Sequence, residues 1–80
     1  MKVYVTKYAL TQGIEEVSVT PCFDIDPNMV HDDRPGYMQC FHKGEWHRTL
    51  EEAVAKASAM RLKRIASLLR QVDKLTALKF

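Results

Sequence analysis

The sequence predicts an α+β domain, a small twisted antiparallel sheet of three to four strands followed by one long C-terminal helix. Two observations carry this. β-Branched and aromatic residues alternate with clusters of turn formers up to residue 48, and Gly44 is the last Gly or Pro in the chain, so residues 50–80 can run as one unbroken helix.

Residues 2–10 read as a strand, with Val3, Val5 and Ala9 on one face and Tyr4, Thr6, Tyr8 and Leu10 on the other. Thr11, Gln12 and Gly13 supply a short turn, and residues 14–20 follow as the second arm of a hairpin that Pro21 ends, because proline cannot donate to the ladder. Residues 21–36 hold Asp24, Asp26, Pro27, Asn28, Asp32, Asp33, Pro35 and Gly36 and form turns around a short strand at 29–31. The next strand covers 37–42 and closes at Lys43 and Gly44, and Trp46 anchors the start of the helix against the sheet.

Thr49, followed three residues later by Glu52, matches a capping box and sets the helix start. Glu51 and Glu52 at the head and Arg70, Lys74 and Lys79 toward the tail suit the helix macrodipole. At ~100° per residue, Leu50, Ala53, Val54, Ala57, Met60, Ile65, Leu68, Val72 and Leu75 share one broad face, interrupted by Arg61 and Arg64. The interruption predicts a junction: residues 50–60 pack on the sheet and residues 62–78 pack on something else. Residues 50–78 as helix span roughly 43 Å, more than a sheet built from fewer than 50 residues covers.

The distal segment therefore needs a partner. Ile65, Leu68, Val72 and Leu75 follow heptad spacing with Leu62, Leu69 and Leu78 beside them, and left exposed they form an apolar patch too large for an ordinary soluble monomer. Eighty residues make one domain of marginal core size, for which association is a common remedy. The expectation is a single domain over residues 1–80, with the sheet region at 1–48, the helix at 49–80 and a homodimerisation segment at 62–78.

Net charge is +2, but the halves differ. Residues 1–49 hold five Lys/Arg against seven Asp/Glu, a net of −2, and residues 50–80 hold seven against three, a net of +4. Lys56, Lys63 and Arg70 at intervals of seven, with Lys74, form a cationic stripe that Arg61 and Arg64 extend. The alternative expectation is thus a nucleic-acid-binding accessory or regulatory protein using this basic face, against which stand the modest net charge and the frequency of solvated charge stripes.

Other constellations are weaker. Tyr4, Tyr8, Tyr37, Phe41 and Trp46 near Lys2, Lys7, Arg34 and Lys43 have the composition of a base-stacking platform, yet a small domain needs its aromatic side chains for core. Cys22, Cys40, His42 and His47 are zinc-ligand types without the paired spacing of a knuckle. Asp24, Asp26 and Asn28 copy the start of a calcium loop, but Met29 and Pro35 stand where it needs Gly and Glu. His31 beside Asp32 and Asp33, and Cys40 beside His42, are the only pairings with acid–base or nucleophilic character, and no phosphate loop or serine nucleophile motif accompanies them. No catalytic residue, cofactor or small-molecule substrate is expected. No apolar run reaches membrane-spanning length and residues 1–7 lack a signal-peptide core, which predicts a soluble cytoplasmic protein with reduced thiols.

Residues 2–14, KVYVTKYALTQGI, together with Glu45, Trp46, His47, Arg48 and Thr49 and the Glu-Glu-Ala-Val-Ala that begins at Glu51, resemble a set of small bacterial proteins, some of them phage-associated. The resemblance implies an independent small protein rather than a fragment of an enzyme, and brings no site residues with it.

Overall fold

A computed structural model describes all 80 residues. It is α+β, with strands β1 (Lys2–Val5), β2 (Glu15–Pro21), β3 (Val30–Asp32), β4 (Cys40–Phe41) and β5 (Trp46–His47), a one-turn helix α1 (Ala9–Gln12) and a 27-residue helix α2 (Leu50–Thr76). All strand pairings in the sheet are antiparallel, in the order β4-β3-β2-β1-β5.

The order forces the sheet to curl. β4 and β5 lie at opposite edges yet only residues 42–45 join them, and those residues form a turn in which the Glu45 amide donates to the His42 carbonyl at 2.9 Å. Such a turn and its two flanking residues reach about 15 Å, whereas the edges of a flat five-stranded sheet stand about 19 Å apart. The sheet closes toward a half-barrel, and Gly44, at a φ of 87°, allows the turn that ties its edges.

Strand alternation places Val3, Val5, Val17, Val19, Val30 and Phe41 inside the curl as the core, with Trp46 packed against it. The register Val3↔Val17 and Val30↔Phe41 stacks these residues across neighbouring strands. Lys2, Glu16, Ser18, Thr20 and His31 are exposed.

The first strand is shorter than expected from residues 2–10. Alternation continues to Leu10, but the buried Thr6 donates its amide to the Glu45 carbonyl at 2.9 Å, and its own carbonyl accepts from Ala9, turning the chain into α1. Gly13, at a φ of 78°, then redirects the backbone into β2. The hairpin pairing is correct, but a helical turn connects its arms in place of a three-residue turn. The expected 37–42 strand is reduced to Cys40–Phe41, because Tyr37 belongs to a turn from Arg34 and Met38 is 95% exposed at the rim. Trp46 anchors a fifth strand, too short to show periodicity, and its indole N–H donates to the Asn28 carbonyl at 2.8 Å.

Helix α2 begins where the cap predicts: the Thr49 hydroxyl accepts from the Glu52 amide at 3.2 Å. The Glu52 side chain does not return the bond. The helix stops at Thr76, short of Phe80; the Ala77 amide still bonds Asp73, but nothing packs on residues 77–80 to hold another turn. Its proximal part lies against β1, β5 and α1, with Ala53 fully buried where a small side chain allows close approach. The remainder projects. The molecule measures 56 × 24 × 23 Å with a radius of gyration of 16.7 Å, where a compact domain of this size has about 12 Å.

Candidate partner interface on helix α2

Because the helix outruns the sheet, its distal apolar side chains meet nothing in their own chain. Exposure runs from 43% at Leu68 to 68% at Leu75, with Leu62, Ile65, Leu69, Val72 and Leu78 between. Partial exposure on a lone helix reflects shielding by neighbours on the same helix rather than tertiary packing. Six of the seven predicted contact residues stand on α2; Leu78 lies just beyond its end.

The broad face expected for the whole helix divides into two stripes. Ala53, Ala57 and Met60 form the stripe turned to the domain, and Leu50 and Val54 remain about half exposed. Val72 lies about 100° around the helix from Ala53, because 19 residues separate them. It stands instead above Val54, 18 residues and five full turns away. Val54 lines a groove of about 330 Å³ that Leu10 of α1, Ile14, Ala57, Ser58 and Arg61 complete. The distal seam thus runs down the helix into a groove beside α1.

Four of the six cations take the other side. Lys56, Lys63 and Arg70 occupy the line opposite the seam, Lys74 sits near them, Arg64 flanks the seam and Arg61 stands at the mouth of the groove. None of the six makes an ion pair; the four ion pairs of the protein all lie in residues 1–49.

A polar network joins Asp32, Arg34, Gln39 and Glu15, which no single pattern in the sequence groups together. The buried Asp32 carboxylate accepts from Arg34 Nε at 3.0 Å, from Arg34 Nη2 at 2.6 Å, from the Arg34 amide at 2.9 Å and from Gln39 Nε2 at 3.2 Å. Arg34 Nη1 reaches Glu15 at 3.1 Å, and the Tyr37 ring covers the guanidinium at 4.0 Å. Hydrogen bonds from Arg34 hold the Asp32 carboxyl down at about 2, and the same contacts raise Arg34 above its ordinary value. The network borders a groove of about 420 Å³ lined also by Val5, Tyr8 and Met38. Every buried side-chain polar atom has a partner, and the network ties β2, β3 and the 34–39 loop together. No sequence spacing signals it, because Asp32 turns inward only through the register of β3.

The remaining candidates separate. Phe41 is buried while Tyr4 lies on the opposite sheet face, so the aromatic residues do not share a platform. His31 and Asp32 alternate to opposite faces of β3. The His47 ring, 3.0 Å from the Thr6 hydroxyl, is shifted below its ordinary value by burial. Cys22 and Cys40 are free thiols; partial desolvation and then the neighbouring Cys40, Asp24 and Asp33 push the Cys22 thiol up. Cys22, Cys40, His42 and His47 do not converge, and no three His, Cys, Asp or Glu side chains gather in a metal-binding arrangement. Asp26 accepts from the Asn28 amide at 2.8 Å, a local turn contact. No helix is long and apolar enough to cross a membrane.

Comparison with known proteins gave no match to any family, curated sequence or solved structure.

Proposed function

We propose that this protein is a small cytoplasmic protein-interaction module that homodimerises through the distal half of α2. The observation that carries the reading is the continuous seam of Leu62, Ile65, Leu68, Leu69, Val72 and Leu75, exposed on a helix that projects beyond its domain. Burying it against a second copy removes several hundred Å² per protomer from water, approaching the roughly 800 Å² per partner of stable complexes. Light scattering at tens of micromolar tests it. A mass of twice 9.2 kDa is expected, falling to that of the monomer in Leu68→Glu plus Leu75→Glu; a monomeric wild type sinks the reading.

The six unpaired cations of α2, four of them on the helix back, favour a second reading, an accessory or regulatory protein that binds nucleic acid along that basic face. Affinity for a duplex should then fall steeply with salt and weaken when Lys63 and Arg70 become Glu. Absent or salt-insensitive binding removes it.

A further inference from the structure

We propose that the second copy of α2 lies antiparallel to the first and that the tail beyond each chain's Leu78 reaches the partner's groove between α1 and α2, where Phe80 docks. This rests on the dimer reading above. Three features of the chain select the arrangement.

The first is steric. The seam line through Val72 passes directly over Val54, and at that level the space beside the helix is bounded by Leu10 and Ile14 of the same chain. A parallel, in-register partner would need its own residues 54–61 in that space, and its α1 and Ile14 would meet their counterparts. Such a pair would also set Arg61 against Arg61 in the seam. An antiparallel partner presents no α1 at this level.

The second is register. Placing Leu68 opposite the partner's Val72 sets Ile65 opposite the partner's Leu75 and Leu62 opposite the partner's Leu78, with Leu69 of each chain meeting near the two-fold axis. All seven apolar residues then face apolar residues. Sliding the partner one heptad toward the domain puts Arg61 opposite the partner's Val72 and Ser58 opposite the partner's Leu75. Sliding it one heptad the other way sets Leu68 opposite the partner's Lys79.

The third is where the helix stops. In the matched register the partner's Thr76, the last residue of its α2, is level with Arg64, one turn before the domain shoulder begins. The partner's residues 77–80 then pass Arg61 and reach the groove, whose Leu10, Ile14 and Val54 offer apolar cover. With Leu78 against Leu62, Phe80 is the apolar side chain that still lacks cover, at 115% exposure. The partner's Lys79, level with Arg61, lies beyond the helix and is free to turn to solvent.

Two measurements decide this. In a Cys22→Ser, Cys40→Ser, Lys56→Cys protein carrying a spin label, the antiparallel pair separates the labels by about 28 residues of helix, ~42 Å along the axis, whereas a parallel pair holds them within roughly 20 Å. A long distance is expected and a short one overturns the orientation. A monomeric mass with no interchain distance overturns the dimer reading itself. Leu10→Glu, on the domain and away from the distal seam, should weaken dimerisation about tenfold, as should Phe80→Ser, since a leucine burial is worth one to two factors of ten. An unchanged dissociation constant in both variants overturns the docking of the tail.

Discussion

Arg34 grips the buried Asp32 carboxylate from two residues away, with Nη2 at 2.6 Å and Nε at 3.0 Å, while its own side chain stays one-third exposed. A charge buried in this way destabilises the fold when its partner is removed, because the carboxylate cannot recover water. Arg34→Leu should therefore cost about 3 kcal/mol in urea unfolding at pH 7 and raise the Asp32 pKa.

The same pair predicts an acid response. The Asp32 carboxyl ionises at about 2 in the fold against 3.8 ordinarily, so the unfolded chain takes up a proton first as pH falls. The contribution is fully present above about pH 5 and is lost between about pH 4 and 2, an amount of about 2 kcal/mol. Unfolding free energies measured from pH 6 to 2 should fall less steeply for Asp32→Asn than for wild type; parallel profiles would contradict the pairing.

His47 works in the same sense at higher pH. Burial beside Thr6 depresses its folded pKa below the ordinary 6.5, so the unfolded state binds the proton more readily. Its contribution is present above the ordinary value and is lost as pH falls through the folded value. An NMR titration should place the His47 midpoint below 6.5, and Thr6→Val, which removes the hydroxyl, should change that midpoint.

The fold class, the helix start at Thr49 and the shared face of Val3 and Val5 were legible because each follows from a local pattern: turn residues, a cap or a period of two. The short elements were not. Nothing between Thr6 and Tyr8 marks the end of a strand, since a tertiary bond from Thr6 to Glu45 ends it. Trp46–His47 is too brief to show alternation, and Asp32 reads as a turn former until the register of β3 turns it inward. The distal seam was legible because exposure of Leu68 or Val72 requires only that the helix outrun the sheet. The rotation of that seam from the Ala53 stripe onto the Val54 line was not, because where α1 sits depends on the whole curl.

Thr49 caps the helix through a single bond to the Glu52 amide. Thr49→Ala should cost about 1 kcal/mol, and Thr49→Asp should retain most of the stability. Since Glu52 makes no reciprocal bond, Glu52→Ala should cost well under half as much in the same denaturation experiment; equal losses would mean that the full capping box forms in solution.

The state of the distal helix should depend on the dimer. Beyond Arg61, roughly 15 residues of α2 have no tertiary contact, and isolated helices of that length are marginal in water. Association supplies the packing that propensity alone does not, so folding of this segment and dimerisation are coupled. Helical ellipticity at 222 nm should fall when the protein is diluted below its dissociation constant, and should be low at every concentration in Leu68→Glu plus Leu75→Glu. The loss should be confined to residues 62–76, leaving hydrogen-exchange protection in β1, β2 and the Ala53 region unchanged. Ellipticity that is independent of concentration in a protein shown to dissociate would mean that the helix supports itself, and the seam would then be a rigid, preformed surface.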